Sequence, residues 1–427
     1  MKVLIVGGGG REHAIALKIK ESPEVTALYA APGNGGIAQI ATCLPFKATD
    51  VDGIVRWAAE NKVDFVIVAP DDPLCLGMVD ALAAQGIPAF GPRKNAAIIE
   101  GSKVFSKNLM KKYGIPTAAY ETFDDYDAAV KYLQTADMPI VVKADGLALG
   151  KGVLICPDRE SAVEAVASMM KEAKFGASGA RVVIEEFLTG PEVSVLAFTD
   201  GKTVKPMVSS MDHKRALDHD EGLNTGGMGT IAPNPCYTPE LAQRCMDEIF
   251  LPTIAAMNAE GRTFTGCLYF GLMMTPKGPK VIEYNCRFGD PETQVVLPLL
   301  KSDLLTIMRA TVDGTLADTP VEFAAGAACC VVLASGGYPV SYKSGYPISG
   351  LDEAGKTATV FHAGTKLIDG QIVTAGGRVL GVTATADTLE AAIDKAYQAA
   401  DKITFTDMHM RRDIGQRALA SRKESHS

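Results

Sequence analysis

Apolar residues in this chain fall into short unbroken runs separated by stretches of helical periodicity, and that alternation predicts the fold. Residues 2–6 (KVLIV) are too few for a helix and end in a Gly-rich turn, so they read as a buried strand. VTALYA (25–30), DFVIVAP (64–70) and IPAFGP (87–92) repeat the pattern, with helical stretches between them. Strand, helix and strand in alternation predict a parallel sheet covered on both faces. This first unit closes near 92–103, and a helix over 103–113 leads out of it.

A second unit runs from about 117 to 190: helix 124–135, strand 139–144, a Gly-rich loop, strand 153–156, helix 158–173 and strand 181–187. It is small and reads as a lid without a core of its own. Strands at 192–199, 204–211, 265–274 and 279–286 and helices at 239–259 and 293–313 make a third unit, 191 to about 325. AACCVVLAS (327–335) opens a β-rich last unit that a helix over 387–400 closes.

Composition narrows the function classes. At 427 residues the chain is too long for one ordinary core. A net charge of −8 and a pI near 5.4 argue against a nucleic-acid surface. No apolar run reaches the roughly 20 residues a membrane span needs, and the opening MKVLIVGGGGREHA leads into a turn rather than a signal-peptide cleavage site. The nine cysteines include no Cys-x-x-Cys pair, so reduced, mostly buried thiols in a cytoplasmic protein are expected. The six histidines have no paired spacing for zinc.

Five segments carry candidate chemistry. In VGGGGREHA, Gly7 and Gly9 match the first two glycines of a dinucleotide fingerprint, but Glu12 stands in the third position and no acid ends the second strand. What remains is a helix N-terminus able to receive an anion, or a turn that only packs. VVKADGLALGKGV (141–153) sets Lys143 at a strand end and Lys151 in a loop whose amides could fold over a polyphosphate; Gly152 stands where a Walker loop needs Ser or Thr. In VVIEEFLTGPEVSV (182–195), Glu185 and Glu186 precede Phe187 and Leu188, as a nucleotide-binding linker or a plain hinge would have it. MDHKRALDHDEGLNTGGMG (211–229) is a polar loop with Asp212, His213 and Lys214 after a strand; His213 reads as structural. In VIEYNCRFGDPETQ (281–294), Glu283 and Asn285 share a strand face and offer hard oxygens, as Mg²⁺ demands. Arg287 there can grip a carboxylate or phosphate, or pair with Asp290 or Glu292 in a buried turn.

Together these residues resemble the ATP-grasp enzymes and, within them, the phosphoribosylamine–glycine ligase (glycinamide ribonucleotide synthetase) family. GGGREHA, APGNGG (31–36), DHKRALDHDEGLNTGGMG, YNCRFGDPETQ, HAGTK (362–366) and AGGRVLGV (375–382) carry the likeness over essentially the whole chain. The resemblance implies a mixed α/β and α+β architecture. It consists of a Rossmann-like N-terminal sheet (1–102), an ATP-grasp domain (103–325) with a mobile lid (about 117–190), and a β-rich C-terminal domain (326–427). It implies a ligase of purine biosynthesis that phosphorylates glycine with ATP and passes the glycyl group to 5-phosphoribosylamine. By the same resemblance Lys103 and Lys143 meet ATP phosphates, and Glu186, Phe187, Leu188 and Glu192 hold adenosine. Glu283 and Asn285 bind Mg²⁺ or Mn²⁺. Arg287, Asp212 and Lys214 orient glycine and its acyl phosphate. Gly8, Gly9, Gly10, Asp71, Lys366 and Arg378 hold phosphoribosylamine. A soluble monomer is expected, with a weak homodimer as the alternative.

Two departures stand out. Ala69-Pro70-Asp71 replaces the Gly-Pro-Glu that relatives often carry, and the strand CLYFGLMM (267–274) lacks the further acidic metal ligand common in ATP-grasp enzymes. Three rival readings are a nicotinamide oxidoreductase, a non-catalytic ATP sensor, and a ligase of the same fold with another acceptor. The first is weakened by the missing glycine and acid. The second has no use for the polar cluster around Arg287.

Overall fold

A computed structural model describes residues 1–147, 152–172 and 174–424, and the side chains of all of these except 423 and 424. Lys151 lies outside the described residues. The first sheet is parallel throughout, in the order Thr42–Cys43, Ala27–Pro32, Lys2–Gly7, Phe65–Val68, Ala89–Phe90. Alternate residues of its central strand feed different cores: Leu4 and Val6 pack into one cluster, Val3 and Ile5 into another. A strand buried on both faces needs apolar residues at every position, which is why KVLIV reads as a run rather than an alternation. Each such side chain contributes roughly 1.5–3 kcal/mol by burial. The turn after this strand sits where strand order reverses, the usual place for a ligand crevice in an open α/β sheet.

The second sheet is antiparallel: Tyr120–Phe123, Val182–Glu186, Ile140–Ala144, Val153–Cys156. Contrary to expectation it has its own small core, with Leu133, Ile140, Val142, Val166, Met169 and Ile184 buried against the helices Tyr126–Leu133 and Arg159–Met170. The third sheet, Val204–Pro206, Glu192–Thr199, Gly266–Thr275, Gly278–Asn285, shares both large cores with the first. The fourth joins Met211–Asp212 and Gly229–Ala232 to Ala327–Ala334, Arg378–Ala386 and Thr359–His362. Both ends of the 211–229 loop are thereby stitched into the C-terminal sheet.

Three expected elements depart from their predicted form, each for a local reason. The 204–211 strand ends at Pro206, which has no N–H to continue a ladder, and Met211–Asp212 restarts in a different sheet. The 293–313 helix stops around Pro298 and restarts as Leu304–Asp313, where the Asp303 carboxylate accepts from Thr306 N at 2.8 Å. The 239–259 helix continues but widens to a π-turn over Met246–Phe250, ahead of Pro252. The polar 211–229 loop contains a short hairpin, Arg215–Leu217 with Glu221–Asn224.

Candidate active site

The Gly278–Asn285 strand is the spine of the site. It sets Glu283 opposite Gly271 and Asn285 opposite Tyr269 on its neighbour, so both oxygen donors share one pleat face. Lys214, Lys143, Lys103 and Arg287 all face the Glu283 carboxylate. Burial works to raise its pKa, yet these four cations hold it below the ordinary carboxylate value. Among the described residues no N–H or O–H donates to it. A carboxylate and an amide oxygen, with no thiolate or imidazole beside them, fit a magnesium- or manganese-class cation. No group of three or more His, Cys, Asp or Glu side chains among the described residues is placed to hold a metal. Phosphate and water oxygens would therefore have to complete the shell.

The helix Lys103–Tyr113 brings in the first lysine. Ser102 caps it, its Oγ accepting from Phe105 N at 3.1 Å, and the Lys103 ammonium donates to Gly146 O at 2.9 Å. Burial, with help from Lys143, lowers the Lys103 pKa against the pull of Glu283. Lys143 is buried on Ile140–Ala144, ion-paired to Glu185 Oε1 and donating to Ile282 O at 3.2 Å. Lys107, one turn after Lys103, lies 2.6 Å from the other Glu185 oxygen and donates to Thr117 Oγ1 at 2.7 Å. Burial pushes the Lys107 ammonium down to about 8, while Glu185 pulls it up. Lys107 carries no motif of its own; its only signal in the sequence is the four-residue step from Lys103.

Glu186 is exposed, 3.6 Å from Lys280, and accepts from Ala119 N at 3.3 Å. Phe187 and Leu188 are half-buried beside it. Glu192 is exposed and lies 3.1 Å from Lys214. Glu192 is the main reason the Lys214 ammonium stands well above the ordinary lysine value, with Glu283 adding to it against burial. Asp212, at the end of its short strand, accepts from His213 N at 2.7 Å. Burial and the neighbouring Glu292 push its carboxyl well above the usual range.

Arg287 pairs with neither Asp290 nor Glu292. Its Nη2 donates to Glu100 Oε1 at 2.9 Å, and Glu100 Oε2 accepts from Cys286 N at 2.7 Å. Arg287 Nε is buried with no partner among the described residues. Glu100 was invisible in the sequence because only tertiary contact brings it to the strand exit. Asp71 faces the same guanidinium; burial works against its charge, but Arg287 and Arg11 hold its carboxyl below the ordinary value. Asp290 instead accepts from Arg11 N at 3.1 Å and Gln294 Nε2 at 2.8 Å, with Arg378 Nη1 at 3.5 Å.

The first glycine turn is more occupied than its sequence suggests. Gly9 N–H donates to Glu12 Oε2 at 2.7 Å. Gly7 has φ +122°, and a Cβ there would meet Glu12 Cγ at 2.5 Å. Glu12 thus takes the space and the amide that a dinucleotide pyrophosphate would use, which counts against the oxidoreductase reading. Two distant motifs close around this turn. Asn34 Nδ2 donates to Gly8 O at 2.9 Å and His362 O at 2.8 Å, while its Oδ1 accepts from Gly36 N and Ile37 N, both at 3.0 Å. His362 N donates to His13 Nδ1 at 2.7 Å, and a Cβ on Gly36 would lie 2.5 Å from His362 Cγ and 2.6 Å from His13 Cε1. GGGREHA, APGNGG and HAGTK are therefore one packed unit.

Arg378 lies against the 211–229 loop, its Nη1 donating to Gly226 O and Asp290 O at 2.9 Å each. The Lys366 side chain is exposed on the Thr365–Ile368 strand and forms no ion pair with the described residues. His213 is structural, as expected: its Nδ1 lies 3.2 Å from Gly229 O and its Nε2 accepts from Gly415 N at 3.1 Å.

Comparison with known proteins places this geometry. Three family descriptions match in order: phosphoribosylglycinamide synthetase N domain over residues 1–100, ATP-grasp (A) domain over 101–293, and C domain over 328–417. A phosphoribosylamine–glycine ligase of Halalkalibacterium halodurans is 49% identical over 425 residues, covering 100% of this chain and 99% of its own. That of Caldanaerobacter subterraneus is 48% identical, covering 97% and 99%. The crystal structure of the Thermotoga maritima phosphoribosylamine–glycine ligase superimposes with a TM-score of 0.86 at 35% identity, covering 97% of this chain and 100% of that one. The biotin carboxylase domain of Hydrogenobacter thermophilus 2-oxoglutarate carboxylase, in complex with MgADP, shares the fold alone: TM-score 0.72 at 18% identity, covering 96% and 91%.

Proposed function

The chain belongs to the phosphoribosylglycinamide synthetase family, and we propose that the charged cluster at the exit of the Gly278–Asn285 strand is where it joins glycine to 5-phosphoribosylamine. It is an ATP-dependent carbon–nitrogen ligase of purine biosynthesis. Lys103 and Lys143 receive the nucleotide phosphates, and Glu186, Phe187, Leu188 and Glu192 border the adenosine. Arg287 holds the glycine carboxylate, with Asp212 and Lys214 beside it. Gly8, Gly9, Gly10, Asp71, Arg378 and Lys366 surround the phosphoribosylamine. The positive charges of Arg378 and of the exposed Lys366 suit its phosphate.

The chemistry follows from charge. A carboxylate must approach a polyphosphate, and the two repel. ATP-grasp enzymes use ATP with a divalent metal; Glu283 and Asn285 would hold Mg²⁺ or Mn²⁺ here, and the bound ion would neutralise phosphate charge, a contribution of several kcal/mol. Lys103, Lys143 and Lys214 offset the rest. Arg287, fixed by Glu100, orients the glycine carboxylate toward the terminal phosphate. Phosphoryl transfer gives glycyl phosphate; the amine of phosphoribosylamine attacks its carbonyl carbon, and phosphate leaves. Aligning three molecules removes roughly 7–11 kcal/mol of barrier in favourable cases, so no covalent protein nucleophile is needed. The lid, proposed to span about 117–190 within an ATP-grasp domain of 103–325, flanked by 1–102 and 326–427, closes over the acyl phosphate and keeps water away. No helix among the described residues is long and apolar enough to cross a membrane. A cytoplasmic monomer is part of the same proposal.

The observation that carries this reading is the Glu283 carboxylate, faced by four cations and receiving no hydrogen bond from the described residues. ADP release tests it: ADP should form only when glycine and phosphoribosylamine are both present. Equal release with alanine or bicarbonate in place of glycine overturns it.

A further inference from the structure

Three buried charges stand in a row, Lys107, Glu185 and Lys143, each less than a twentieth exposed. Lys143 holds one oxygen of Glu185, and Lys107 lies 2.6 Å from the other. The Lys107 ammonium, with three N–H bonds, also donates to Thr117 Oγ1 at 2.7 Å and Ala118 O at 3.5 Å, which fixes it behind the carboxylate. The carboxylate therefore answers two cations at once, and the row carries one net positive charge. A buried Lys–Glu pair alone would be neutral and closed, with little pull on an incoming anion.

We infer that Lys107 is a positioning residue: by balancing Glu185 from behind, it leaves Lys143 able to turn its charge toward the nucleotide. The inference rests on the reading of Lys143 as a phosphate contact. Lys107 touches no substrate in this scheme. It acts through Glu185, from the same helix that presents Lys103 one turn earlier. Without it, Lys143 alone neutralises Glu185, and nucleotide binding weakens while the glycine end of the site is untouched.

The test is binding of a non-hydrolysable ATP analogue by calorimetry, with steady-state kinetics alongside. Lys107→Met should weaken analogue binding and raise the KM for ATP at least tenfold, with the KM for glycine within twofold of the parent. Lys107→Arg, which keeps the charge, should recover most of that loss. Adding Glu185→Gln to Lys107→Met should recover it too, since the carboxylate that traps Lys143 is gone. A merely structural Lys107 would move both KM values together and gain nothing from the second change. Analogue binding by Lys107→Met within twofold of the parent, or a double variant no better than the single, overturns the inference. If Lys107→Met does not fold, failure of the folded Lys107→Arg to bind the analogue does so. Lys143→Met separates the two levels: parental affinity there removes the underlying reading, whereas weak binding there with normal binding in Lys107→Met removes only the role of Lys107.

Discussion

The two ends of the site are built on opposite principles. Around the Gly278–Asn285 strand, polar groups are left without hydrogen-bond partners: Glu283 faces four cations without a hydrogen bond from the described residues, and Arg287 buries an unpartnered Nε. Around the first glycine turn nearly every polar group already has a partner in the protein. Gly9 N–H has Glu12, Asn34 bridges two carbonyls and two amides, and His13 accepts from His362. The first region is an unfinished electrostatic balance, as the proposed polyanion site requires. The second is a shaped wall, finished before any ligand arrives.

Removing charge from the unfinished region should therefore cost activity and leave stability alone. Glu283→Ala should lower kcat about a thousandfold, roughly 4 kcal/mol of barrier, with circular dichroism and Tm unchanged; a variant that turns over normally would remove Glu283 from the metal site. Arg287→Lys comes next. It keeps the charge but loses the planar fork, so the KM for glycine should rise about a hundredfold while ATP binding stays put. A proportional rise in the KM for ATP would mean that Arg287 serves the nucleotide instead.

The contrast also explains what could be read in advance. Buried parallel strands announce themselves as apolar runs, so KVLIV and DFVIV were legible, as was the shared face of Glu283 and Asn285. Proline and Asx punctuation overrides periodicity: Pro206 and Asp303 break elements that periodicity alone runs through. Within the site, motif residues could be found, but their partners could not. Glu100 reaches Arg287 across 187 positions of sequence, and nothing local marks it. The packing of His13 on His362 spans 349 positions and likewise exists only in three dimensions. Local physics reveals the groups that do chemistry more readily than the groups that hold them still.

The finished wall should break with acid. His13 and His362 are buried as neutral rings, and His13 Nδ1 must stay unprotonated to accept from His362 N. Burial, reinforced by His362, lowers the His13 pKa to about 3, and burial lowers that of His362 to about 4. Both folded values lie below the unfolded value near 6.5, so the unfolded chain binds the extra protons. The stability each ring contributes is thus fully present above pH 6.5 and is lost as pH falls toward the folded pKa. At pH 5 the loss is about 2 kcal/mol per ring. His213, lowered to about 4 by burial just after the Met211–Asp212 strand, adds a similar slope to any variant of the pocket. Denaturant unfolding at pH 7.5 and pH 5 should therefore separate the parent from His362→Asn, the variant losing about 2 kcal/mol less between the two conditions. Identical losses in both proteins would mean that the wall takes up protons without opening, and the division between a charge-built end and a shape-built end would fail on the shape side.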